Sequence, residues 1–314
     1  MRLLVVLLAF ASAAFAGPHP WPLKGPITVM DTLSTLQDYG GTPGFHHGLD
    51  LKAPAGTDVF APVGGKVTAE YYYPRYKIAY TFRVSIEAPD GLRWELHHVD
   101  PATLPPAVRA AVASGGTVAE GALVARIADA SAVGLPSHVH VEVIDNVGVR
   151  LDPLRFLPPL ADDVAPTILG LYVVGKDGRA VAQQTDGAPR GTVPVNGSYS
   201  LVVEAEDMIP PGTWGDSLYG VEVTLNGRRL VWTRFDALPD VDYLKGVTDV
   251  YRTEPFTDLD GNSVDNQIDF RASRHFLFQA PFAAPPAPST LRFDVRALDY
   301  ARNETRRSVE FAAR

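Results

Sequence analysis

The stretch Ser137-His138-Val139-His140-Val141-Glu142-Val143 decides how the rest of the sequence is read. His138, His140 and Glu142 share one parity, and Val139, Val141 and Val143 share the other. A β-strand repeats every two residues, so the valines enter a core while the three polar side chains line the opposite face. Residues two apart on one strand face lie roughly 6–7 Å apart, which lets two imidazoles address one small site. The competing reading is an exposed sheet face that happens to carry histidines, and the remaining histidines bear on that choice.

They cluster. In Phe45-His46-His47-Gly48-Leu49-Asp50-Leu51, His46 and Asp50 stand four apart, on one side of an extended segment. Gly48 between them permits close approach of backbone or ligand. A third cluster ends the strand-like run Trp94-Glu95-Leu96-His97-His98-Val99. Six of the eight histidines fall in these three places, which scattered surface residues would rarely do. A neutral imidazole is the commonest metal ligand, and two His with one carboxylate recur as a catalytic zinc set whose fourth position is open to water. The chain has no cysteine, so disulfides, thiolate catalysis and thiolate metal sites are all excluded. No His-Glu-x-x-His helix is present, which removes the helical zinc-protease plan.

At 314 residues the chain has room for about two domains. Hydrophobic content of 46% and charged content of 20% describe a globular protein. A formal net charge of −8 argues against a non-specific binder of nucleic acid or anionic membranes. Residues 1–16 read as a secretory signal: Met1-Arg2, an apolar run over 3–10, then Ala14-Phe15-Ala16 as a cleavage site. The run is too short to span a bilayer, and no later run is long enough, so an exported chain beginning at Gly17, without membrane insertion or lipid anchor, is expected.

Residues 17–26 are Pro-rich and extended, with His19 between two prolines expected to be solvent-exposed and inert. From 27 to 142 short apolar runs alternate with Gly, Pro and Asp, a β pattern in which Gly64-Gly65 and Asp90-Gly91 read as hairpin signals. Only 105–114 reads as helical, stopped by Gly115-Gly116.

With those runs in place the sequence resembles the lysostaphin/LytM-type zinc endopeptidases, which cleave peptide bonds in bacterial peptidoglycan. The likeness rests on His46-x-Gly48-x-Asp50, Ala53-Pro54-Ala55-Gly56-Thr57-Asp58-Val59, Ala61-Pro62-Val63-Gly64-Gly65-Lys66-Val67, and His138-Val139-His140-Val141-Glu142, and it runs over about 28–157. It implies that His46, Asp50 and His140 hold zinc, and that His138 is a catalytic partner rather than a ligand. A second catalytic histidine belongs at the end of an earlier strand; His98 takes that role and His97 is its rival. His47 falls at a variable position and reads as a rim residue. Val139 and Val141 replace the family's Leu and Phe, Ser137 stands where Pro is common, and 128–135 carries fewer glycines. Glu142 is open to two readings, an acceptor that orients an imidazole or a plain salt bridge.

Beyond Pro158-Pro159, residues 161–166 have linker composition. Alternating strands over 168–174, 199–204, 220–225 and 291–297, with the hairpin turn Asn226-Gly227, indicate a β-sandwich. The run 293–303 resembles the last strands of bacterial immunoglobulin-like modules, with Asp and Asn bracing the final turn. Asp258-Leu259-Asp260-Gly261-Asn262-Ser263-Val264-Asp265 is not an EF-hand loop and reads as a solvated turn rather than a calcium site. Trp214, Tyr219 and Trp232 fill a core or form a glycan platform, and His275 reads as structural.

The expectation is therefore a mainly β chain. An antiparallel β-sheet metallopeptidase domain spans 17–160, a linker 161–166, and an immunoglobulin-like sandwich 167–314. Its implied activity is zinc-dependent hydrolysis of peptidoglycan peptides by a monomer in the periplasm, cell envelope or extracellular space, with His98 and His138 handling protons. Two other classes stand beside it: a catalytically silent wall-binding module that activates another hydrolase, and an adhesin or glycan binder acting through the sandwich.

Overall fold

The structure is a computed structural model that describes residues 18–73, 75–210, 215–238, 246–269 and 274–314. The expected leader at 1–16 and Trp214 lie outside the described residues.

His138–Ile144 is a strand at the middle of the first sheet. It pairs antiparallel with Leu49–Lys52 on one side and Arg93–His97 on the other. The sheet continues through Phe82–Glu87, Gly65–Tyr71 and Thr117–Val118 beyond the latter, and through Val29–Asp31 beyond the former. β-Branched valines at 139, 141 and 143 suit a central strand, and all three are fully buried with Leu49, Leu51, Ile86, Trp94 and Leu96. The opposite face is polar yet also buried, as is every residue of His138–Ile144. Register sets Asp50 and His97 directly beside His140, one on each flanking strand. Cross-strand neighbours have Cβ atoms about 4.5–5.5 Å apart, so pairing alone builds the nucleus of the site.

Three expectations need correction. Gly64-Gly65 is not a hairpin turn, because Asp58–Phe60 pairs with Leu123–Arg126 while Gly65–Tyr71 joins the large sheet. Gly65 is there for close packing: a Cβ would sit 2.1 Å from the Glu87 carbonyl oxygen. His19 is not free in solvent; its ring meets Trp94 edge-on at 5.4 Å and its backbone N–H donates to the Phe156 carbonyl at 2.8 Å. Trp21 and Leu23 join the same core, so the Pro-rich segment straps the valine face, away from the histidines. The strand ending in the paired histidines stops at His97. Asp90-Gly91 does form a turn, between Phe82–Glu87 and Arg93–His97. The helix runs Pro106–Ser114 and ends on left-handed Gly115.

Residues 167–314 build two facing antiparallel sheets. One contains Thr167–Gly175, Ala180–Gln184, Ser198–Glu206 and Phe276–Ala283, and the other Gly220–Leu225, Arg228–Arg234, Ser289–Leu298 and Glu304–Ala313. Leu171, Val173, Leu201 and Val203 from the first meet Val223, Phe293, Val295 and Phe311 from the second in a shared core. Asn226 and Gly227 both have positive φ, 50° and 78°, as a two-residue hairpin of the twisted kind requires. The Asp258 carboxylate closes the 258–262 turn on Asn262, and Asp260 pairs with Arg190. His275 is tied to the Asp265 carbonyl at 3.1 Å. Tyr219 is buried against Tyr300 with Arg302 over its ring, while Trp232 is half-buried with Arg296 over its own.

The two assemblies interlock. Leu33, Leu36 and Phe45, which precede the first histidine cluster, pack into the sandwich core rather than their own. Arg150–Leu151 pairs with Ala237–Leu238, which carries the first sheet across the junction. Phe45 contacts Phe235 and Tyr251, with ring centroids 6.1 Å from each. Phe45→Ala should therefore destabilise the whole chain by about 3–5 kcal/mol, measured by denaturant unfolding. An unchanged midpoint would mean that this docking contributes nothing.

Candidate metal centre

The site forms where the middle strand meets the loop before Leu49–Lys52. Gly48 lets that loop lie against the strand, since a Cβ there would meet the Val141 carbonyl oxygen at 2.2 Å. His46 Nε2, Asp50 Oδ1 and His140 Nδ1 converge. Their separations are 2.9 Å between the two nitrogens, 3.2 Å from His46 to Asp50, and 2.7 Å from His140 to Asp50.

The far side of each ring fixes what the near side offers. His46 Nδ1 lies 2.8 Å from the Thr32 carbonyl, which only accepts, so this nitrogen carries the proton and Nε2 keeps its lone pair. His140 Nε2 faces Glu142 Oε1 at 3.3 Å and donates there, which leaves the lone pair on Nδ1. Two nitrogen lone pairs and a carboxylate oxygen thus point at one another with no donor among them, an arrangement only a cation relieves. Without a metal that cation is a proton. Burial opposes a charge on His140, but the Asp50 and Glu142 carboxylates outweigh it and lift the imidazole to about 10. His46 is likewise raised, against burial, by Asp50. Burial pushes Asp50 toward its neutral form, yet the surrounding imidazoles hold it well below the usual carboxylate range.

The donor set suits a divalent ion such as zinc, which takes imidazole and carboxylate ligands at about 2.0–2.2 Å and whose histidine ligands give their second N–H to a carbonyl or carboxylate. A second group, His97, His140 and Glu142, is looser, with His97 3.7 Å and His140 3.3 Å from the Glu142 carboxylate. It is the poorer cation site because its carboxylates are already compensated. Glu142 binds Arg150 at 2.7 Å and Glu95, the partner of His97, binds Arg83 at 2.7 Å, whereas the charged partners found for Asp50 are all imidazoles. Glu142 is thus both things the sequence left open, an acceptor for His140 and a salt-bridge partner.

His98 and His138 stand beside this trio. His98 has a left-handed backbone, φ 61°, which turns it out of the strand direction followed by His97. Its ring stacks on Tyr80 at 3.8 Å and 6°, its Nδ1 donates to the Tyr80 carbonyl at 2.7 Å, and its ring centroid lies 4.7 Å from that of His138. His138 Nδ1 donates to the Pro136 carbonyl at 2.8 Å, leaving Nε2 3.6 Å from Asp50 Oδ2. Among the described residues neither ring's Nε2 forms a hydrogen bond, and that of His138 faces Asp50. Burial, and then the neighbouring imidazoles, keep His98 neutral well below the ordinary histidine range. His97 instead directs Nε2 to Glu95 at 3.0 Å. His47 is half-buried beside Arg150 and Glu142, and burial with Arg150 lowers it to about 3.

Sequence reading missed Tyr72 and Tyr80, which hold His98, the carbonyls of Thr32 and Pro136, and the arginines that occupy Glu95 and Glu142. The Tyr71-Tyr72-Tyr73 run was the available signal. All five central residues are recessed, none exposing more than 9%.

Residues 44–153 match the model of Peptidase family M23. Among solved structures, a mutant catalytic domain of the prophage-encoded M23 protein EnpA from Enterococcus faecalis aligns at 23% identity, covering 45% of this chain and 95% of that one with a TM-score of 0.32. No curated protein matches the chain.

Two outcomes are expected of metal binding. The purified protein should take up one zinc equivalent with proton release, and its affinity should fall as pH falls, because His46 and His140 hold their protons more tightly than free imidazole. Calorimetry in buffers of different ionisation enthalpy reads the protons, and His46→Ala or His140→Ala should abolish uptake. Glu142→Gln, which weakens the brace on His140, should lower zinc affinity about 10–100-fold in a chelator competition.

Proposed function

We propose that the protein, whose residues 44–153 match the model of Peptidase family M23, is an exported zinc endopeptidase that hydrolyses peptide bonds in peptidoglycan. The observation that carries this reading is the convergence of His46 Nε2, Asp50 Oδ1 and His140 Nδ1 beside two histidines whose Nε2 atoms form no hydrogen bond among the described residues. Export is supported by the leader-like composition of residues 1–16.

His46, Asp50 and His140 would hold the zinc, which when bound polarises the scissile carbonyl and lowers the pKa of water toward 7. The remaining chemistry belongs to the side chains. His98, neutral because burial and its neighbours disfavour a charge, accepts the proton of the attacking water at Nε2, while its Nδ1 proton is directed to the Tyr80 carbonyl. His138 Nε2, which faces Asp50 Oδ2 at 3.6 Å, is the position from which a protonated ring would donate a hydrogen bond to the developing oxyanion or deliver a proton to the leaving amine.

Digestion of purified peptidoglycan tests the reading. The wild type should release peptide fragments with new amino termini, and a chelator should stop it. His98→Ala and His138→Ala should each lower kcat about 10²–10⁴-fold while retaining zinc, and His97→Ala should cost far less. Equal product release by the wild type and His140→Ala would refute the assignment.

A further inference from the structure

Away from the histidines, Asp162, Asp207 and Asp299 bring carboxylate oxygens within 4.8 Å of one another. Asp162 lies in the connection between the two assemblies, Asp207 follows the Ser198–Glu206 strand, and Asp299 follows Ser289–Leu298. Asp207 is 1% exposed and Asp299 is fully buried. Among the described residues no Lys, Arg or His forms an ion pair with any of the three. Asp299 accepts the Asn303 backbone N–H and side-chain amide, both at 2.7 Å, and Asp162 accepts the Val164 N–H at 3.0 Å. Asp207 differs: neither of its oxygens has a hydrogen-bond partner among the described residues, although both are buried. A buried carboxylate is costly unless something positive meets it, so this one points to a ligand.

We propose that Asp162, Asp207 and Asp299 bind one hard divalent cation of the calcium class. Oxygens that ligate calcium at 2.3–2.6 Å can stand at most about 5 Å apart, a limit the cluster meets, and magnesium gives up its own water too reluctantly to favour a buried all-carboxylate set. Three carboxylates with no nitrogen donor also suit calcium better than zinc. In the absence of a cation the cluster must hold a proton instead. Burial, then Asp299, Asp216 and Asp162, raise Asp207 to about 9.

The ion would fasten the connecting segment to two strand ends of the sandwich. Asn303 already joins these pieces, donating to the Asp162 carbonyl at 3.1 Å as well as to Asp299. The backbone of Asp207 exchanges hydrogen bonds of 3.0 and 2.6 Å with Asp216, whose carboxylate accepts from Thr35 at 2.8 Å. Calcium would thereby stiffen the junction against which residues 30–35 pack.

Thermal unfolding of the full chain with calcium or magnesium, titrated to about 10 mM, tests the proposal. Calcium should raise the wild-type Tm by about 5 °C, and magnesium less. The same rise should appear in a His46→Ala/His140→Ala double variant, which places the ion away from the imidazoles. Asp207→Asn should be no less stable than wild type without calcium, since a neutral amide replaces a carboxyl that already holds a proton there, and should show no calcium response. Asp162→Asn, in the connecting segment, should weaken calcium affinity at least tenfold and serves if Asp207→Asn does not fold. No response in the wild type, an equal response in the Asp variants, or loss of the response in the double histidine variant would overturn the proposal, leaving a shared proton or the imidazole site in its place.

Discussion

The Asp50 carboxylate is buried in the middle of a sheet with imidazoles as its charged partners, and most of the first assembly answers to that fact. An ion removed from water costs several kcal/mol unless it is paired. Glu95 and Glu142, two further buried acids on the same sheet face, each have arginine partners. Asp50 has His46, His138 and His140, each of which can be neutral or charged. The polar face is therefore stable only while something cationic sits among those rings. Arginine would satisfy Asp50 permanently; histidine leaves the position to be filled by a proton or a metal ion.

The orientation of those rings is set by groups that carry no signature in a sequence. Thr32 and Pro136 act through their carbonyl oxygens, so any residue type could do the same work. The period-two alternation of 137–143 was legible because a buried strand leaves no freedom in which residues face each way, and Asn226-Gly227 was legible because few residue pairs tolerate two positive φ angles. The choice between His97 and His98 was not legible, since it depends on one left-handed backbone step after the strand. The burial of the polar face was not legible either. Alternation reports two faces but not what covers the second, and here the covering comes from tyrosines of a neighbouring loop and arginines on adjacent strands.

The junction escaped sequence reading for a related reason. Leu33, Leu36 and Phe45 are apolar residues in the first assembly's stretch of chain, and their pattern says that they are buried without saying in which core. Asp162, Asp207 and Asp299 lie far apart in the chain and meet only when the connection and two strand ends come together. The composition of 161–166 is that of a linker, and Asn303 ties it to the Asp299 strand end through the Asp162 carbonyl.

That junction bears on how the second assembly relates to the chemistry. Arg274, from the sandwich half, is buried and donates to the Met30 carbonyl at 3.2 Å and to Asp31 at 2.6 Å. Asp216 accepts from Thr35, Tyr251 donates to the Ser34 carbonyl at 3.1 Å, and Tyr300 donates to the Leu33 carbonyl. These contacts bracket Thr32, whose carbonyl fixes the tautomer of His46. A reading of the sandwich as an independent adhesive module with the histidine half as scaffold does not fit that arrangement, because the sandwich supplies part of the wall on which His46 is held. Removing it would expose Leu33, Leu36 and Phe45 and free the 30–35 segment, so His46 would lose its fixed ring. The two halves are one apparatus, in which the second holds the first in the geometry a cation requires.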